Sequence, residues 1–110
     1  IGGHGDLALK RAAERGDGWM HAGGDPDELV RCLDKLKEYR TALGRENDPF
    51  EIHVISFDAW SADGVHRLED LGVTDAIVGF RLPYLKEVMP LQNKIDMMRM
   101  YADNVLAKFR

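Results

Sequence analysis

The chain has 110 residues, a mass of 12.4 kDa and a hydrophobic fraction of 45%, which is enough for one folded domain and excludes a disordered tail or a low-complexity linker. With 19 acidic and 15 basic residues the net charge is −4, which argues against a nucleic-acid partner because proteins that bind phosphate backbones are usually basic. The single cysteine, Cys32, has no internal disulfide partner, and no apolar run reaches the ~20 residues that span a bilayer. We therefore expect a cytoplasmic protein without a nucleic-acid or membrane partner.

Helix and strand patterns alternate along the chain. Ile1 has the character of the last residue of a strand, because a glycine turn follows it at once. Apolar residues then recur either at helical spacing or in short β-branched runs, with glycine or proline between the segments. The predicted elements, in order, are a helix over 6–15, a strand over 18–22, a helix over 25–44, a strand over 51–57, a helix over 61–72, a strand over 73–80, a loop over 81–89 and a helix over 90–109.

Two helix starts are marked by capping residues. Asp25 can cap the second helix, Pro26 suits its first turn, and Glu28 completes a capping box, which leaves Glu28 on a solvated helix face. Pro90 opens the last helix. At helical spacing, that last helix turns one apolar face inward, formed by Leu91, Ile95, Met98, Tyr101, Ala102, Val105 and Phe109.

This alternation predicts an α/β fold with parallel strands and right-handed helical crossovers. The strands are continuous apolar runs, as expected when both faces of a sheet are covered. An open doubly wound sheet and a (β/α)8 barrel both fit the pattern. Four strand–helix units make half of such a barrel.

The loops that follow parallel strands are the first place to look for a site, because ligands of such folds bind at the carboxyl ends of the strands. Residues Gly2–Gly5 form such a loop before the first helix. Glycines let the backbone approach a ligand, and the N–H groups there, with the helix dipole, suit a cofactor phosphate. The segment also matches the loose dinucleotide pattern G-x-G-x-x-A. An ordinary tight turn is an equally good explanation.

Several side chains near the other carboxyl ends are candidates for a pocket rim. Trp19 and His21 end one strand and Arg81 ends another, and an imidazole or guanidinium there could contact a substrate oxygen or an anion. A partly exposed loop histidine and a surface salt bridge are the plain alternatives. Phe57 and Trp60 could line an apolar pocket or cover a barrel end. Of the other histidines, His53 lies in a strand as a core or interface residue, and His66 lies on a solvated helix face.

The sequence shows no Ser-His-Asp order, paired carboxylates or nucleophile elbow. If the protein is an enzyme, a bound organic cofactor is expected to carry the reaction. The catalytic residues stay unknown, and no Cys/His cluster has the spacing of a zinc site.

A Gly-Gly-His turn in Ile1–His4 is followed by Gly-Asp-Gly-Trp at the end of Ala12–Trp19. At this spacing, and with three further segments, these motifs resemble the bacterial luciferase-like oxidoreductases, a family that uses a flavin or a deazaflavin. The resemblance covers essentially the whole chain and is nearest to the branch described as coenzyme F420-dependent oxidoreductases. The supporting segments are Asp25–Leu29, Gly44–Arg45 and Arg67–Asp75, the last running on into Val78–Arg81.

The resemblance implies that residues 1–110 are the C-terminal half of a TIM (β/α)8 barrel, from the tip of the fifth strand through the eighth helix. Members of the family bind reduced FMN or coenzyme F420 at the carboxyl face of the barrel and catalyse hydride transfer or oxygen-dependent monooxygenation. By resemblance, Gly2, Gly3 and His4 contact the cofactor near its phosphate. Gly5 belongs to the same turn, but many relatives have serine there, so this chain relies on backbone N–H groups instead.

A half barrel has two exposed sheet edges and an unfinished core. We therefore expect this chain to be either a fragment of a longer enzyme, inactive by itself, or a half barrel that forms a homodimer. Two other functions stay open: a non-catalytic α/β assembly module that uses the methionine-rich last helix, and a dinucleotide-binding open sheet. The sequence names neither the substrate nor the proton donor.

Overall fold

The computed structural model describes residues 1–81 and 84–109, and within them the predicted order of helices and strands is confirmed. The hydroxyl oxygens of Ser56 and Ser61 cap the first 3-10 helix and the α-helix that follows it. The elements are α1 (Asp6–Arg15), β1 (Gly18–His21), α2 (Pro26–Ala42), β2 (Glu51–Ile55), a 3-10 helix (Phe57–Trp60), α3 (Ala62–Asp70), β3 (Asp75–Ile77), α4 (Leu91–Asn104) and a second 3-10 helix (Leu106–Phe109).

β2, β3 and α4 are shorter than predicted. β2 ends at Ile55 because the Ser56 hydroxyl accepts the N–H of Asp58 and begins the 3-10 helix there. β3 is three residues long rather than eight, and α4 ends at Asn104, before the second 3-10 helix. Of the loop predicted over 81–89, residues 82 and 83 lie outside the described residues.

The sheet is parallel throughout, and its strands lie side by side in chain order, β1-β2-β3. The residues before α1 extend this order. Gly2 forms a parallel bridge to Met20, and the N–H of Met20 donates to the carbonyl of Ile1 at 3.0 Å. The strand character predicted for Ile1 is thus present beside β1. Among the strands that the structure describes the order never reverses, whereas a doubly wound sheet reverses at its ligand site.

The core lies on one face of this sheet. Trp19 and Val54 point from the strands into a cluster with side chains from α1, α2 and α3. On the opposite face, Met20 and Ile55 are 39% and 37% exposed. This face is uncovered in the described chain, although parallel sheets are normally covered on both faces. The buried core residues are Leu9, Ala12, Trp19, Leu29, Cys32, Leu36, Val54, Ala59 and Leu68.

The predicted inward face of the last helix is confirmed in part. Val105 is buried just after α4, and the Tyr101 hydroxyl donates to the carbonyl of Ala59 at 2.7 Å. These contacts hold the C-terminal part of α4 against the first 3-10 helix. Ile95 and Ala102 are half-buried, whereas Leu91, Met98 and Phe109 are exposed. Helical periodicity identified the apolar stripe, but it did not show how much of the stripe is covered.

Candidate functional site

The glycine turn before α1 is built around Gly3. Its φ is +109°, a region that side chains rarely adopt, and a Cβ at this position would lie 2.6 Å from the Cβ of Ala8. The indole N–H of Trp19 donates to the carbonyl of Gly3 at 2.9 Å. Gly3 therefore has a structural reason to be glycine, whatever the turn binds.

His4 connects this turn to α2 and to the end of β1. Its Nδ1 lies 2.7 Å from a carboxylate oxygen of Glu28, and the N–H of Ala22 donates to its Nε2 at 3.2 Å. Since Nε2 accepts, the ring proton is on Nδ1 and is donated to Glu28. The predicted capping box is thus wrong: Asp25 caps α2 by accepting the N–H of Asp27, while Glu28 is engaged by His4.

The backbone of His4 is held as firmly as its ring. The guanidinium of Arg31 donates to the His4 carbonyl at 3.0 Å, and the Cys32 thiol lies 3.8 Å from the same oxygen. Burial raises the pKa of the Cys32 thiol. Cys32 is therefore a neutral packing residue under this turn rather than a nucleophile.

His21 lies in the core. It is 1% exposed, and its ring stacks on that of His4 with centroids 4.1 Å apart and an interplanar angle of 4°. The N–H of Gly23 donates to its Nδ1, so a neutral ring carries its proton on Nε2, which has no hydrogen-bond partner among the described residues. Burial lowers the pKa of His21.

The expected rim positions of Trp19 and His21 are therefore corrected. Trp19 is also 1% exposed, and its side chain belongs to the core cluster. Alternate residues of a strand point to opposite faces of the sheet. Because Met20 points to the open face, the side chains of Trp19 and His21 on either side of it point toward the helices. Both residues support the glycine turn, since Trp19 donates to the carbonyl of Gly3 and His21 stacks on the ring of His4.

Gly5 is the N-cap of α1 and has a different environment from Gly3. Its φ is −78°, no side chain caps the helix there, and a Cβ would meet nothing within 4 Å. The first N–H groups of an α-helix have no partner within the helix and favour negative charge. The exposed start of α1, with Gly2–Gly5 beside it, is thus the part of the predicted cofactor turn that is open to an anion.

The carboxyl ends of the three strands border a cavity of about 210 Å³. Its position follows from the parallel topology, because the loops after β1, β2 and β3 all emerge at this edge. The cavity lies next to the glycine turn, because its lining residue Gly23 directly follows Ala22, whose N–H donates to His4. The cavity brings together three predicted residues, Phe57, Trp60 and Arg81, and its full lining is Gly23, Gly24, Ile55, Ser56, Phe57, Trp60, Ile77, Gly79 and Arg81.

The aromatic wall of this cavity is fixed by two further rings. Trp60 packs edge-on against Phe80, with centroids 5.6 Å apart, and against Tyr101 at 5.4 Å. Phe57 stands at the mouth and is 89% exposed. Arg81 donates to the carbonyl of Leu85 and pairs with none of the carboxylates of the described residues. The surface salt bridge that was the alternative role for Arg81 is therefore not formed within the described residues.

The sequence analysis missed a charged network on the open face of the sheet. The Nε2 of His53 lies 2.9 Å from a carboxylate oxygen of Glu51 and 3.3 Å from one of Asp75. The strand register, which pairs His53 with Asp75, brings these residues together. His66 is exposed on α3 beside Glu69, as predicted for a solvated histidine. A half barrel places β2 beside β3, but nothing in the sequence indicated the register that pairs His53 with Asp75.

Comparison with known proteins gives similarity without a function. The chain is 58% identical, over 98% of its length, to uncharacterized proteins of Mycobacterium bovis and of two strains of Mycobacterium tuberculosis. It spans 38% of the length of these relatives. No family model matches the chain. No solved structure matches it. Within the described residues, no helix has the length and apolarity to cross a membrane.

Proposed function

We propose that this chain is the C-terminal half of a luciferase-like (β/α)8-barrel oxidoreductase that uses reduced FMN or coenzyme F420. The observation that carries the proposal is the strand order: Gly2, β1, β2 and β3 lie parallel and in chain sequence, with α1, α2 and α3 contributing to one core. A barrel requires this order, because each strand–helix unit adds to the same side of the preceding one. All the connecting loops then open at one edge, where the cavity and the glycine turn lie.

In this proposal the glycine turn holds the cofactor phosphate. The uncapped start of α1 offers N–H groups and the positive end of the helix dipole, and the space beside Gly5 is open. The shape of the turn is fixed by the side chains packed against it, those of Trp19, His4 and His21. Arg81 stands at the rim of the neighbouring cavity, where the substrate is expected. The cofactor supplies the hydride or the reaction with oxygen, and this chain binds, orients and shields the reacting groups from water.

The open face of the sheet supports the expectation of a partner. Met20 and Ile55 on that face would lie inside a complete barrel, where side chains from all strands form a packed core. The relatives extend well beyond the matched region, since the chain spans 38% of their length. We expect the covering element to be either the other half of a barrel or a second copy of this chain, and we expect the chain alone to be inactive.

Two substitutions at Gly5 test the cofactor site with the fold as a control. Serine and aspartate are both good N-caps, so Gly5→Ser and Gly5→Asp are expected to keep or slightly raise stability. Only Gly5→Asp adds a negative charge where the phosphate would bind. FMN and F420 are titrated against the purified protein and followed by cofactor absorbance and fluorescence. We expect Gly5→Asp to weaken binding by roughly tenfold or more and Gly5→Ser to retain it.

The controls separate cofactor binding from folding. Circular dichroism and urea unfolding of both variants show whether α1 is intact. Equal binding by both variants would place the phosphate elsewhere. Failure of the full-length protein, with the other half of the barrel present, to bind either cofactor at high micromolar concentration would refute the proposal.

One observation favours a second candidate, a non-catalytic assembly module. Leu91, Met98 and Met100 on α4 are exposed, and methionine adapts well to varied partners. If this is the function, Met98→Gln and Met100→Gln lower the oligomeric state in size-exclusion chromatography with light scattering, and neither cofactor binds. A stable monomer that binds cofactor would exclude this alternative.

A further inference from the structure

We propose that the cavity at the carboxyl edge of the sheet binds a compact aromatic carboxylate, with its ring against Trp60 and Phe57 and its carboxylate at Arg81. The inference rests on the proposed function in one respect, since it takes this cavity as the substrate pocket of that enzyme. It goes further by naming the chemical class of the substrate, which the sequence did not indicate.

The cavity has room for an aromatic ring. A cavity of about 150 Å³ lined by apolar side chains accommodates benzene. The cavity here is about 210 Å³, which holds one ring and a short side chain.

The lining is apolar where a ring would lie. Ile55 and Ile77 are register partners at the ends of β2 and β3 and contribute two adjacent aliphatic side chains to the cavity. Trp60 provides an aromatic wall whose orientation is set by Phe80 and Tyr101. Aromatic pairs contribute beyond the area they bury, and a fixed wall costs little ordering on binding. The exposed ring of Phe57 at the mouth gives a ligand ring a second surface to pack on.

The charge of the cavity favours an anion. Among the described residues that line it, Arg81 is the cation and none carries a carboxylate. A guanidinium has five N–H donors in a planar fork that matches a carboxylate. Arg81 uses one nitrogen for the carbonyl of Leu85, and within the described part of the chain its other nitrogens form no side-chain bond. A neighbouring cavity of about 610 Å³ shares Phe57, Trp60, Gly79 and Arg81 but also contains Glu87, so an amine is the competing class of ligand.

Isothermal titration calorimetry with three matched probes tests this inference: 3-phenylpropionate, 3-phenylpropanol and 3-phenylpropylamine. The three share one ring and one chain length and differ in the polar end group, which is anionic, neutral and cationic, respectively. We expect 3-phenylpropionate to bind roughly tenfold more tightly than the alcohol, because a charge-assisted hydrogen bond is added. The amine is expected to bind more weakly than the alcohol.

Three variants assign the contributions to residues. Arg81→Gln is expected to remove the preference for the acid, while Arg99→Gln, on the exposed surface of α4, keeps it. Phe57→Ala removes an exposed ring and is expected to weaken the acid and the alcohol by the same factor. Thermal unfolding of each variant checks the fold, and neither Arg81 nor Phe57 is buried.

The outcomes are decisive in both directions. A preference for the acid that disappears in Arg81→Gln alone supports the inference. Equal binding of acid and alcohol, preference for the amine, or no binding of any probe at millimolar concentration overturns it. The cofactor titration of Gly5→Asp and Gly5→Ser is read separately. Cofactor binding without acid binding therefore refutes only this inference, and acid binding without cofactor binding refutes the proposed oxidoreductase.

Discussion

The two glycines that flank His4 provide a sharp test of the turn geometry, because the same substitution is expected to act in opposite directions. Gly3→Ser forces a side chain into a φ of +109° and places its Cβ 2.6 Å from the Cβ of Ala8. The backbone conformation costs about 1–2 kcal/mol, and overpacking against the body of α1 costs about 1–3 kcal/mol. We expect Gly3→Ser to lower the free energy of unfolding by about 2–5 kcal/mol. Gly5→Ser has neither penalty and adds an N-cap oxygen, so its effect should lie within about 0.5 kcal/mol of zero, on the stabilising side.

Urea unfolding followed by circular dichroism measures both variants against the parent protein. The linear-extrapolation slope must be the same in all three proteins for the comparison to concern the native state. A loss below about 1 kcal/mol for Gly3→Ser, or equal losses for both variants, would refute the turn conformation. The result also decides which glycine reports on cofactor binding: if Gly3 is a folding residue, a weakened cofactor affinity in its variants carries no information about contact with the phosphate.

Three further outcomes follow from the residues around this turn. Glu28→Gln replaces the carboxylate that accepts the ring proton of His4, and it should lower the free energy of unfolding in urea by about 1 kcal/mol. The control Glu38→Gln removes the carboxylate of an exposed pair with Lys35 and should lower it by at most ~0.5 kcal/mol. Because the pKa of His21 is lowered in the folded protein, the unfolded chain binds more protons than the folded one near and below pH 6.5. The melting temperature should therefore fall as the pH drops below that value and stay level above it. His21→Phe should flatten this dependence, whereas His66→Gln should not. Because Cys32 is buried and its pKa is raised, the native protein should react with a thiol reagent only as fast as it unfolds. Rapid labelling without denaturant would show instead that the turn opens locally.

The sequence determined the local structure well. Helix starts with Asp25 and Ser61, the glycine stops and the β-branched run over β2 are decided by interactions within a few residues, and these elements appear where they were predicted. Their alternation also limited the sheet to parallel strands, because short connections through a helix leave no other pairing. The glycine turn and the candidate positions of Phe57, Trp60 and Arg81 at the carboxyl edge followed from the same rule.

Only the tertiary structure decided whether each side chain points into the core or to solvent, and which residues it contacts. Glu28 has the spacing of a capping residue, yet it pairs with His4, 24 residues away, and no local pattern contains that information. Trp19 and His21 end their strand at the predicted edge, but the pleat turns them into the core. The apolar stripe of α4 is covered only in part, with Val105 buried and Leu91 and Met98 exposed, and the network around His53 depends on strand register. In each case the contact joins segments far apart in the chain, so its energy depends on the packing of whole elements, which periodicity and capping rules do not describe.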